Sequence, residues 1–125
     1  MTDPTGAPIL VVEDDIPTQN LLRAVLRRYG FDADVAADGR EAIGKLQTGA
    51  YAAVVLDVMM PGVGGSEVVE FVGAMSSPVP VVVCSAAGPK ALAALEVDVV
   101  KAIIRKPFEI DELIATVRNI VLGTR

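Results

Sequence analysis

A chain of 125 residues is the size of one compact domain and can bury a core without disulfides or a structural metal. With 52% apolar and only 4% aromatic residues, that core is built mainly from Val, Ile, Leu and Ala, and the chain is globular. A net charge of -5 argues against direct nucleic-acid binding, and the absence of histidine removes Ser-His and Cys-His nucleophile pairs, His-ligated zinc and any phosphohistidine of its own.

The first residues, Met1 to Ala7, carry neither a basic start nor an apolar stretch of the export type, so a cytoplasmic address is expected. Ile9 to Val12 is a short apolar run that stops at Glu13-Asp14, and Leu22, Val25, Leu26 and Tyr29 then repeat at helical spacing. Strand followed by helix is predicted, with Asp15 as a cap, Pro17 in the first turn and Gly30 at the end. A second strand is expected at Ala33 to Ala36, followed by a helix whose capping box is Asp38 and Glu41 and whose inner face is Ala42, Ile43 and Leu46.

Ala53 to Leu56 is the third apolar run, closed by Asp57, and after a Gly-rich loop Val68, Phe71, Val72 and Met75 mark a third helix. Pro80 to Cys84 is the fourth run, closed by Ser85. Gly88-Pro89 opens a short Ala-rich fourth helix, and a fifth strand is expected at Ala102 to Arg105, just before Lys106. Ile110, Leu113, Ile114 and Val117 mark a closing helix with acids in its first turn and Gly123 at its end. The longest apolar runs, such as Ala52 to Leu56, fall far short of the roughly 20 residues of a membrane span.

Continuous apolar strands alternating with helices imply a parallel sheet covered on both faces, a five-stranded doubly wound α/β sandwich. In such sheets ligands bind beyond the carboxyl ends of the strands, where strand order reverses. Glu13, Asp14, Asp57, Ser85 and Lys106 all fall there. Clustered carboxylates repel one another unless a pKa rises or a cation is held. With no His and with Cys84 read as a small buried core residue, an all-oxygen site points to Mg²⁺, with Mn²⁺ as a substitute. Asp57 is then a candidate carboxylate nucleophile toward phosphorus, with Lys106 neutralising charge and Ser85 donating a hydrogen bond. The bland readings are helix capping for Asp14 and Asp15, a turn for Asp57, and ordinary surface roles for Ser85 and Lys106 taken singly.

Together the segments Ile9 to Asp15, Val55 to Gly62, Val83 to Ala86 and Lys106-Pro107-Phe108 resemble the receiver domain of two-component response regulators, over Ile9 to Leu122. The resemblance implies a flavodoxin-like sheet of order 2-1-3-4-5 with five helices on both faces, and one receiver domain over 1–125, core about 8–122, with no output domain. It implies that Asp57 is the phosphoacceptor, Asp14 a direct Mg²⁺ ligand, Glu13 a ligand through water and the Met59 backbone carbonyl a further ligand. Ser85 and Lys106 would contact the phosphoryl group, and the Lys106-Pro107 bond would be cis.

The implied partners are a sensor histidine kinase or histidine phosphotransfer protein upstream, and a downstream protein on the face of the fourth helix, fifth strand and fifth helix. The chain would be a monomer or weak dimer, and either a whole single-domain regulator or a receiver excised from a larger protein. Ser85 and position 103 are the switch positions, but Ile103 stands where the family often has Tyr or Phe. Gly64 stands where Asp is frequent, which predicts a freer loop, and apolar Met59 and Ala87 favour slow self-dephosphorylation. Competing readings are a phosphate-independent adaptor of the same fold, an aspartyl phosphatase, which lacks its second Asp because Met59 is there, and a flavodoxin-like carrier, whose flavin phosphate Glu13-Asp14-Asp15 would repel.

Overall fold

Side-chain alternation along the strands decides which core each residue enters. Leu10, Val12, Val54, Leu56, Val81 and Val83 point to one face of the sheet, whereas Ile9, Val11, Ala53, Val55, Val82 and Cys84 point to the other. In the computed structural model, which describes residues 7–57, 64–86 and 98–122, these strands form a five-stranded parallel sheet. They are β1 (Ile9–Val12), β2 (Ala33–Ala36), β3 (Ala53–Leu56), β4 (Val81–Ser85) and β5 (Val100–Arg105), in the order β2-β1-β3-β4-β5.

Helices α1 (Ile16–Arg28) and α2 (Gly39–Thr48) alternate with the first strands, α3 (Gly65–Gly73) follows β3, and a closing helix spans Ile110–Leu122. The first core is covered by Ala42 and Leu46 of α2 and Val68, Val69 and Val72 of α3. Leu22 and Leu26 of α1 and Leu113, Ile114 and Val117 of the closing helix cover the second. Four helices are thus seen among the described residues where five were expected; the fourth, after Gly88-Pro89, lies outside them, as does Gly123.

Local chemistry sets the helix ends. The Asp15 carboxylate accepts from the Thr18 N–H at 3.0 Å and from its hydroxyl, capping α1, and Pro17 sits in the first turn, where its missing N–H costs nothing. At the other end Gly30 adopts φ 95°, its N–H donates to the Arg27 carbonyl, and the Phe31 N–H reaches back to Leu26 at 2.9 Å. That pair of bonds is the Schellman closure, and the buried side chains of Phe31 and Leu26 meet in the second core.

The capping box of α2 is present with one difference. Asp38 accepts from the Glu41 N–H at 2.9 Å, but Glu41 reaches back to the N–H of Ala37, one residue before the cap.

Two boundaries shift from the sequence expectation. β4 starts at Val81, not Pro80, because proline has no N–H for the ladder, and runs on to Ser85. β5 begins two residues early, at Val100-Lys101; an edge strand can carry a lysine facing water. The edge strands β2 and β5 are also mostly half-buried or exposed, unlike the fully buried β1 and β3. Gly64, at φ -94°, N-caps α3 without a side-chain hydrogen bond, and Gly62 and Val63 of the same loop lie outside the described residues.

Candidate functional site

β1 pairs with β2 on one side and with β3 on the other, so strand order reverses at β1. Parallel strands bring every carboxyl end to the same edge, which puts Glu13, Asp14 and Asp57 beside the reversal. At least one carboxylate oxygen of each of these three residues lies within 4.8 Å of the others. The backbone fixes two of them through the ladder: the Glu13 N–H donates to the Ala36 carbonyl at 3.0 Å, and the Asp57 N–H to Val12 at 3.0 Å. Glu13 and Asp57 are buried, at 3% and 8% exposure, whereas Asp14 is exposed.

Lys106, immediately after β5, supplies the compensating charge. Its ammonium donates to Glu13 Oε1 at 3.0 Å and to Asp57 Oδ2 at 3.3 Å. The other Glu13 oxygen accepts from the Asp15 N–H at 3.2 Å. Burial pushes the Glu13 carboxyl above its ordinary range, and Lys106 and the Asp15 N–H only partly pull it back. Partial burial works against the Lys106 charge, but Glu13 and Asp57 outweigh it and hold its pKa above the usual lysine value. Three carboxylates against one ammonium leave the cluster two negative charges in excess.

The chain brings together four of the expected groups: Glu13, Asp14, Asp57 and Lys106. Ser85 ends β4 at the same edge, in register with Arg105 of β5, though its side chain lies outside the described part. Met59 and Ala87 also lie outside the described residues. The Lys106-Pro107 bond is cis, as expected. The Asp15 side chain caps α1, and Ile103 pairs with Val83 and packs half-buried against the first core. Cys84 is buried in the second core, where burial pushes its thiol up to about 12.

Sequence reasoning missed Gln19, whose amide donates to the Glu13 carbonyl at 2.6 Å. Its only signal was a long amide side chain one turn into a helix that starts at an acidic loop. A hollow of about 550 Å³ lined by Pro80, Val99, Lys101 and Ile120, among others, lies by the amino-terminal ends of β4 and β5, away from the acids.

Residues 9–118 match the response regulator receiver domain family. The chain belongs to that family. Among curated relatives the receiver is 39% identical over 116 residues to the transcriptional regulatory protein TcrA of Mycobacterium tuberculosis, covering 91% of this chain and 46% of that protein. It is 37% identical over 114 residues to a CpxR homolog of Haemophilus influenzae, covering 90% and 49%. The receiver thus spans about half the length of the curated relatives it matches.

Among solved structures, the receiver domain of the Francisella response regulator 1452 superposes with a TM-score of 0.85 at 28% identity, covering 95% of this chain and 99% of that one. The response regulator TrrA of Thermotoga maritima, solved in complex with Mg²⁺-BeF, gives 0.81 at 29% identity, covering 91% and 98%. Among the described residues no helix is long and apolar enough to cross a membrane.

Proposed function

We propose that this receiver takes a phosphoryl group from a phosphohistidine partner onto Asp57 and thereby switches a protein surface. The observation that carries this is the convergence of Asp57, two further carboxylates and Lys106 at the point of strand reversal. The donor set fits Mg²⁺, or Mn²⁺ in its place. It is all oxygen, it carries two excess negative charges, and its three carboxylates each bring an oxygen within 4.8 Å of the others, close enough to gather round one small cation. Asp14 and Asp57 would hold the ion directly, Glu13 through water, and the Met59 carbonyl would add a ligand by family resemblance. When bound, the metal supplies positive charge to the oxygens of the transferring group.

An Asp57 carboxylate oxygen attacks phosphorus; the new P–O bond forms as the P–N bond to the donor imidazole breaks, and the electron pair leaves with that nitrogen. Lys106 already lies 3.3 Å from Asp57, where its ammonium can neutralise a phosphoryl oxygen. Ser85, at the end of β4, would donate to another. Glu13 holds Lys106 in place between the two acids. The solved Mg²⁺-BeF complex of TrrA supports this reading by analogy.

The output surface would be β5 with the closing helix and the segment before β5. The relative TcrA is named a transcriptional regulatory protein, and for the receiver itself a protein target on that face is proposed. A cytoplasmic setting and a single receiver unit over 1–125 complete the reading. The packing of Ile103 into the first core favours a second one, a phosphate-independent adaptor, because no aromatic ring is there to swing.

Intact mass after incubation with a small phosphodonor and Mg²⁺, for wild type and Asp57→Asn with an EDTA control, decides between them. One magnesium-dependent phosphoryl group on wild type and none on the variant is expected. No phosphorylation by small donors or by a phosphohistidine protein overturns the reading and favours the adaptor.

A further inference from the structure

On an extended strand, successive side chains point to opposite faces. Glu13 and Asp14 are consecutive, yet their oxygens share one site with Asp57, so the backbone must turn between them, and it bends at Asp14. What holds that bend is a short set of bonds. The Glu13 N–H is fixed to Ala36, the Asp15 N–H to the Glu13 side chain at 3.2 Å, and the Asp15 carboxylate to Thr18. The carbonyl of the peptide joining Glu13 to Asp14 lies beyond β1, whose last residue is Val12. Gln19 takes it, at 2.6 Å.

We propose that Gln19 is a positioning residue for the acid pair, a strut from α1 that sets the orientation of the Glu13-Asp14 peptide and so aims both carboxylates at one cation. The inference rests on the site reading above. Gln19 suits the task because it is itself anchored: its backbone N–H donates to Asp15 at 2.9 Å, inside a capped helix, and its side chain is half-buried. A rigid helix thereby grips a loop that carries an exposed ligand. Water can replace the amide at the Glu13 carbonyl, so the bond adds little to folding but removes rotational freedom from the peptide. Geometry at the site is therefore more sensitive to Gln19 than stability is.

Gln19→Met keeps length and helix propensity and removes the donor. Amide chemical-shift titration of the unphosphorylated protein with Mg²⁺ is expected to show affinity weakened about three- to tenfold, the range for one hydrogen bond's orientation. Faster hydrogen exchange at the Asp15 amide should accompany it, with a thermal midpoint within about 2 °C of wild type. Equal Mg²⁺ affinity in wild type and variant overturns the positioning role and leaves the site reading intact. A large drop in midpoint with unchanged affinity makes Gln19 purely structural and also overturns it. Failure of the wild type to bind Mg²⁺ overturns the site reading itself, and the positioning role with it.

Discussion

Lys106 lies 93 residues from Glu13 in sequence and 3.0 Å from it in space. Removing the ammonium leaves Glu13, at 3% exposure, without its cation, and an unpaired buried charge costs far more than the pair contributes. In EDTA, Lys106→Met is expected to lower stability at neutral pH by on the order of 1–3 kcal/mol. The sign of the pH dependence follows from Glu13. Its folded-state pKa is raised above 4.5, so its favourable contribution is complete below that value and is lost as pH rises through the folded value. Lys106→Met raises that pKa further, because burial then acts unopposed by the ammonium. Urea midpoints should therefore fall more at pH 8 than at pH 5, and an equal loss at both would show that Glu13 does not depend on Lys106.

Edge strands expose unpaired backbone groups, and β2 closes its own with a small polar cluster. The Val35 N–H donates to Asp34 Oδ1 at 2.9 Å and the Val35 carbonyl accepts from the Lys45 ammonium at 2.7 Å. Lys45 also donates to Asp34 at 2.9 Å, and the Tyr51 hydroxyl to the other Asp34 oxygen at 2.7 Å. Partial burial pushes Asp34 up, but Lys45 and Tyr51 outweigh it and hold the carboxyl below its usual value. Burial and then Asp34 push the Tyr51 hydroxyl from 10.0 to about 12.

A raised pKa means that the Tyr51 contribution is intact below pH 10 and fades between 10 and about 12. With the Asp34 side chain 40% exposed, that contribution is roughly 0.5–1 kcal/mol. Tyr51→Phe should lose that amount at neutral pH and show a flatter stability profile than wild type across the alkaline window; parallel profiles would contradict the bond.

None of this cluster was legible in the sequence, where Asp34 falls inside the expected strand Ala33 to Ala36. What was legible was local. The apolar runs that stop at Glu13, Asp57, Ser85 and Lys106 marked strand ends because a covered parallel strand tolerates no polar residue until it reaches water. Gly30 and Asp38 marked helix ends through backbone requirements of their own. Lys101 hid the start of β5, since an edge strand breaks the apolar pattern that reveals a central one. Partner choice, as for Lys106 with Glu13 or Gln19 with the Glu13 carbonyl, is decided by packing across the molecule and leaves no periodic trace.

Across the whole molecule, the two cores share one sheet, and Cys84 reports on whether they fail together. Its thiol sits in β4 with β3 and β5 on either side, at 2% exposure under the closing helix, whose Leu113, Ile114 and Val117 line the same core. With the thiol pushed up to about 12, little thiolate is present in the native state at pH 8, so labelling must wait for an opening. Lifting the closing helix also frees the segment that carries Lys106, and Lys106 ties it to Glu13, just after β1, and Asp57, just after β3. An opening that exposes Cys84 therefore dismantles the acidic site.

The rate of Cys84 labelling should then rise with urea along the slope measured for global unfolding, and Mg²⁺ should slow it by the factor 1 + [Mg²⁺]/Kd set by linkage. A shallow urea slope with no magnesium effect would mean that β5 and the closing helix open as a separate unit. In that case the output face would move and carry Lys106 away while the carboxylates still held the cation, and phosphorylation at Asp57 would have no mechanical hold on the surface it is proposed to switch.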